Sequence, residues 1–344
     1  MLFGSVLCAL ALVLPLGSLT ALDIFLHTKF LRTGGVNIWG YRGPIVRSKR
    51  TGERRVVVLG GSTAFGYGVG WQEAISARLE QQLNTAGGQR YSVVNIAYNN
   101  EGAYSFRYTL EDYLYLDYDV AVLYEGYNDL MGDPTAPNFS VFRHGSPVFR
   151  LTGYLPILPI VLREKAASML YRGDINQLYI EARTGKRVAF DASLADRTKA
   201  GALNATAAIG EAIERQLGHF SPTPRPAIVD PTGTGCKYPW AEYCRSVMNG
   251  VTFALQHGAR VLVVTEPYLL GESRARHIDQ QETMLEGLRR RFGADRRLAY
   301  FNAGPLVDLA DPTLSFDRMH LTAPGNDRVA QALARPISDL FSSQ

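Results

Sequence analysis

The chain has 344 residues, 46% of them hydrophobic, enough to bury a substantial core in one large domain or in a domain with a sizeable insertion. Its formal net charge of +4 is mild for that length, and the basic residues are scattered. Runs such as Arg289-Arg290-Arg291 and Arg296-Arg297 read as solvated helix faces or turns, and without a helix-turn-helix, zinc-finger or RNA-binding signature they exclude nucleic acid as a partner.

From Leu2 to Leu22 the chain carries no charge, and the first charged residue is Asp23. About 21 apolar or small residues suffice to span a bilayer as a helix. No Lys or Arg precedes the stretch and no small-x-small cleavage site follows it, so a transmembrane anchor over 1–23 is expected rather than a signal peptide. Cys8 lacks the small residue expected before a lipoprotein cysteine. The basic flank (Lys29, Arg32, Arg42, Arg47, Lys49, Arg50) would place that side in the cytoplasm. Against this stand Cys236 and Cys244, in a Gly/Pro-rich segment with no metal-ligand spacing around them. Their functional reading is a disulfide stapling a loop, the alternative being two free buried thiols. The expectation is a membrane-anchored chain whose main domain is extracytoplasmic.

A Gly/Arg-rich connector, 24–53, leads into the main domain, 54–342. Arg54 to Leu59 is a β-branched run ended by Gly60-Gly61, the pattern of a short buried strand. Residues 71–84 have helical periodicity, with Trp71, Ile75, Leu79 and Leu83 on one face. Tyr91 to Ile96 reads as a second strand, 104–117 as a helix, and Asp119 to Tyr124 as a third strand. Ala259 to Thr265 and Leu298 to Asn302 are the fourth and fifth, with helices over 240–257, 274–293 and 323–341. Strands alternating with helices at this spacing imply a parallel sheet covered on both faces. Between about 132 and 226 the alternation fails, and an apolar, proline-punctuated stretch and an Ala-rich helix over 192–218 mark a helical insertion.

Ser62 stands just after the first strand, in Gly60-Gly61-Ser62-Thr63-Ala64-Phe65-Gly66. Open α/β folds place their sites at that edge of the sheet, and a serine opening a helix lies beside unpaired N–H groups. A dinucleotide fingerprint fails because Ser62 takes the place of its second glycine. A phosphate-binding loop fails because Tyr67-Gly68 follows Gly66, and a G-x-S-x-G elbow fails at Ala64. Far along the chain, Asp317 and His320 are three positions apart, a spacing that lets a carboxylate orient an imidazole whose other nitrogen can take a serine proton. After the third strand, Asn128 in Gly126-Tyr127-Asn128-Asp129 can aim its amide at the same edge and donate to a developing oxyanion, or simply hold its loop together.

Together these segments resemble the SGNH (GDSL-like) hydrolase superfamily. Gly126-Tyr127-Asn128-Asp129 matches that family's third block, Gly-x-Asn-Asp, and Asp317-Arg318-Met319-His320 matches its last, Asp-x-x-His. The first block departs, with Gly61 where Asp is common, and the second is altered, Asn95 to Ser105 carrying extra residues. The resemblance spans about 54–130 and 228–342. It implies a flavodoxin-like three-layer α/β/α fold with a five-stranded parallel sheet. It also implies a serine esterase acting on a small-molecule or glycan ester, O-acetyl groups included, without metal or cofactor. Ser62 would be the nucleophile, His320 the general base and Asp317 its orienting acid. The oxyanion would be held by the N–H groups of Ser62 and Gly102, with Asn100 competing for the second place, and by Asn128. An acyltransferase modifying cell-envelope polysaccharide with the same triad, or a non-catalytic envelope carbohydrate-binding or assembly module, are the alternatives.

Overall fold

The structure, a computed structural model, describes residues 2–85, 87–124, 126–130, 142–175, 177, 192–220, 236–293 and 295–342. Parts of the expected 132–226 insertion (132–141, 176, 178–191 and 221–226) and Glu125 therefore lie outside the described residues. The chain forms two compact units. One comprises Leu31–His144 and Pro224–Gln344, the other Met1–Phe30 and Gly145–Thr223.

The larger unit is built on five strands: β1 (Glu53–Gly60), β2 (Arg90–Asn95), β3 (Val120–Tyr124), β4 (Arg260–Thr265) and β5 (Leu298–Asn302). They lie in the order β2-β1-β3-β4-β5, every neighbouring pair parallel. Val56 to Leu59, Val120 to Tyr124 and Val261 to Val264 are all buried, as continuous apolar runs must be when helices cover both faces. Helix Ala323–Ser342 packs on helix Ile75–Thr85, while helix Ala241–Gln256 packs on Phe106–Asp112 and against Ser273–Phe292. The amphipathic spacing of Val329, Leu333, Ile337 and Leu340, all buried, gives the last helix its core-facing stripe. Gly60, Tyr124 and Val264 are register partners, so the three central strands end level at one edge. Cys236 and Cys244 form a disulfide, with their Cα atoms 6.3 Å apart.

The helical unit corrects the expectation of a transmembrane anchor, and with it the membrane as partner and the membrane-anchored localisation of the main domain. Among the described residues no helix is long and apolar enough to cross a membrane. The first helix, Leu2–Phe30, runs on beyond the uncharged stretch, and its later turns are fixed by polar contacts. Asp23 and His27 are only 4% and 2% exposed. The Asp23 carboxylate accepts the Ile157 N–H at 3.0 Å, the Leu158 N–H at 2.5 Å and the Tyr154 hydroxyl, while His27 Nε2 meets the Leu155 carbonyl at 3.0 Å. Asp23 thus satisfies free N–H groups at the start of helix Leu158–Leu170. Hydropathy counted the apolar residues of this segment but could not register those partners.

Candidate active site

The β1 strand ends on Gly60, with φ at 150°. A Cβ there would lie 1.9 Å from the Tyr124 carbonyl oxygen, so only glycine lets the ends of β1 and β3 come so close. The chain then makes a single helical turn, Ser62–Phe65, closed by Gly66 in the left-handed conformation, whose N–H donates to the Ser62 carbonyl at 3.0 Å. Ser62 opens that turn. β1 and β3 are where the strand order reverses direction, the crevice in which open α/β sheets place their ligands.

The opposite wall of this site is a turn just before the last helix. Ser315 and Leu321 form an isolated bridge, and Arg318 adopts a left-handed conformation with φ at 67°. Inside the turn, Asp317 Oδ1 accepts the N–H groups of Met319 at 3.0 Å and of His320 at 2.7 Å. Its Oδ2 lies 2.6 Å from His320 Nδ1. A carboxylate can only accept, so Nδ1 carries the proton and Nε2 presents a lone pair. Nε2 is 2.8 Å from Ser62 Oγ, whose hydroxyl donates to it. Burial alone would raise the Asp317 carboxyl, but hydrogen bonds from the His320 ring, the His320 N–H and the Met319 N–H hold it below its usual value. The acid is thereby kept ionised beside the imidazole. Two exposed rings flank His320: Tyr67 at 4.8 Å and Phe316 at 5.9 Å, the latter nearly parallel to it.

The two candidates for the second-block N–H sit differently. Asn100 is exposed at a turn, with φ at 63°. Gly102 is buried in extended backbone at the start of a short 3-10 turn, and a Cβ on it would stand 3.0 Å from both Asp129 carboxylate oxygens. Asp129 in turn accepts the Ala103 N–H at 3.0 Å. The Asn128 amide donates to the Glu101 carbonyl at 2.9 Å, so the second and third blocks are bound together on both sides of Gly102. Glu101 is itself fixed by Arg143, whose N–H it accepts at 3.1 Å and whose guanidinium it meets at 3.5 Å, both side chains 1% exposed. The structure therefore brings Ser62, His320 and Asp317 into one hydrogen-bonded series and sets Asn128 against the segment of Gly102.

Three residues of this edge went unread in the sequence: Glu266, Thr63 and Arg143. The Thr63 hydroxyl and the Tyr127 N–H both donate to the buried Glu266 carboxylate. Glu266 ends a β-branched run, Val261 to Thr265, just as Ser62 and Asn128 follow theirs, and that placement was a signal available in the sequence. Burial pushes both Asp129 and Glu266 up to about 7, and the charge of Asp129 adds to the push on Glu266. Among the described residues no group of three or more His, Cys, Asp or Glu side chains is gathered as a metal site.

No protein-family profile and no curated protein matches the sequence. Among solved structures the chain is similar to TesA, at 11% identity and a TM-score of 0.42, over 83% of this chain and 99% of that one. It is similar to the family 3 carbohydrate esterase of Clostridium thermocellum at 13% identity and 0.41, over 84% and 98%. A GDSL-like lipase from Bacteroides thetaiotaomicron VPI-5482 matches at 12% and 0.40, over 86% and 92%.

Proposed function

We propose that the chain is a serine esterase of the SGNH type, with Ser62 as nucleophile, His320 as general base and Asp317 as its orienting acid. The observation that carries this reading is the uninterrupted series from Ser62 Oγ to His320 Nε2 (2.8 Å) and from His320 Nδ1 to Asp317 (2.6 Å). An alcohol is a weak nucleophile at neutral pH unless a base stands ready to take its proton. Ser62 Oγ attacks the ester carbonyl carbon while its proton passes to Nε2. The negative charge that forms on the carbonyl oxygen is met by the N–H groups of Ser62 and Gly102 and by the Asn128 amide. Collapse of the tetrahedral species expels the alcohol, which takes the proton from Nε2, and leaves an acyl group on Ser62. Water, deprotonated by His320, then releases the carboxylic acid and restores the serine.

Every residue in these roles belongs to the sheet-bearing unit. The substrate is an ester of a small molecule or a glycan, and transfer to a sugar hydroxyl would follow the same steps with that hydroxyl in place of water. The test is hydrolysis of p-nitrophenyl acetate by the full-length chain and its variants. Ser62→Ala and His320→Ala should each lower kcat/KM by about a thousand-fold or more. Equal turnover by the Ser62→Ala variant and the parent would dismiss the assignment.

A further inference from the structure

Glu266 directly follows β4, is 1% exposed, and has no part in the bond-breaking steps above. Its two oxygens serve two different elements. Oε1 accepts the hydroxyl of Thr63, and Oε2 accepts the N–H of Tyr127 at 2.7 Å. Thr63 is the neighbour of Ser62 on the one-turn helix, and Tyr127 is the neighbour of Asn128. Tyr127 is held a second time from the same strand end, its hydroxyl donating to the Pro267 carbonyl.

A four-residue helix has too few internal bonds to fix its own position, so the groups that grip it decide where Ser62 stands. Glu266 grips it at Thr63, beside Ser62, and the Asn95 amide at the Ala64 carbonyl (3.0 Å), farther along the turn. Burying an acid is costly, and an apolar side chain of the same size would fill the space without that cost. What an apolar side chain would not do is accept a hydrogen bond from each of two catalytic segments at once. A displacement of the order of 1 Å between a nucleophile and its oxyanion donors is enough to slow a reaction about 100-fold.

We infer that Glu266 is a positioning residue, its buried carboxylate holding the Ser62 turn and the Asn128 loop in one fixed relation. The inference rests on the assignment of Ser62 and Asn128 proposed above. It joins a chain of contacts that runs from Thr63 through Glu266 to Tyr127, and from Asp129 to the Ala103 N–H beside Gly102.

The experiment is the reaction of the full-length chain with a fluorophosphonate, reading two quantities: the fraction of chains that become labelled, and the rate constant at which they do so. In Glu266→Ala nearly all chains should label, with a rate constant about 10- to 100-fold below the parent's. The kcat for p-nitrophenyl acetate should fall in proportion while KM hardly changes. Glu266→Gln should recover most of the rate, because its amide can turn its oxygen to the Tyr127 N–H and its NH2 to the Thr63 hydroxyl. If Glu266→Ala does not fold, Thr63→Val, which removes one hydroxyl and leaves the acid in place, decides alone and should also label slowly. A structural acid would give the opposite pattern, a smaller labelled fraction and a lower Tm with an unchanged rate constant, and that result overturns the inference. Failure of the Ser62 assignment itself would show in the parent, as absence of labelling or labelling that survives Ser62→Ala, and would remove the inference with it.

Discussion

The Ser62 hydroxyl gains its proposed reactivity from a single lone pair on His320, and that lone pair faces it only because Asp317 holds the ring by its other nitrogen. Asp317→Asn keeps the shape of the turn but favours the wrong tautomer, with the proton on Nε2. It should lower kcat by about 10,000-fold while leaving Tm little changed, measured with p-nitrophenyl acetate and by calorimetry. Asn128→Ala should lower kcat by about 100- to 1,000-fold, the loss expected for one oxyanion donor. Gly60 matters differently. A methyl group there would overlap the Tyr124 carbonyl at 1.9 Å, and backbone cannot swing aside as a side chain can. Gly60→Ala should cost about 3 kcal/mol or more, read from the midpoint of urea unfolding.

Among the elements, the helices bring the two halves of the site together. Helix Ala323–Ser342 follows the Asp317–His320 turn and packs on Ile75–Thr85, which follows the Ser62 turn, so its seating sets where His320 meets Ser62. Leu333, on the core-facing stripe of the last helix, is fully buried, and Leu333→Ala should cost about 2–5 kcal/mol in stability. The acids linking the blocks leave a mark on pH dependence. Burial pushes Asp129 and Glu266 up to about 7, whereas carboxyls in the unfolded chain titrate near about 4. Between those values the folded state binds more protons than the unfolded one. Their contribution to stability is therefore complete below about pH 4 and is lost as the pH rises through about 7. Unfolding free energy should fall across that window, and the fall should flatten in the Asp129→Asn, Glu266→Gln double variant. An unchanged slope would contradict the raised values.

These elements were legible in the sequence to unequal degrees. The three central strands read clearly because each carries a β-branched run buried on both faces. The edge strands β2 and β5 are only partly buried and were legible from their spacing between helices. The last helix read clearly because its apolar stripe has a single period. The Asp317–His320 spacing declared a contact that the turn makes through Asp317 and the backbone. Glu266 stands at a legible place, the end of the fourth strand's run, but what it holds was hidden because its partners, Thr63 and the Tyr127 N–H, are 203 and 139 residues away. The first helix was misread for the same reason. Its uncharged run is visible locally, but the contacts of Asp23 and His27 lie more than a hundred positions along the chain.

At the scale of the whole molecule, the parallel order β2-β1-β3-β4-β5 turns distance in sequence into proximity. Ser62 and His320, 258 residues apart, meet because strands that enter from one side all end at one edge. The disulfide acts on a much shorter span, closing a loop with a sequence separation of 8 between Cys236 and Cys244. Constraint of so short a loop in the unfolded chain is worth about 2–3 kcal/mol, so Cys236→Ser should lower Tm by a few degrees, checked by calorimetry of the oxidised parent beside the variant. On the proposed reading this edge carries one activated serine. The most direct measurement is to react the full-length chain with a fluorophosphonate and map the adduct by peptide mass spectrometry. A single adduct is expected, on Ser62, formed far more slowly in His320→Ala. A folded parent that stays unlabelled, or that carries its adduct on another residue, would contradict it.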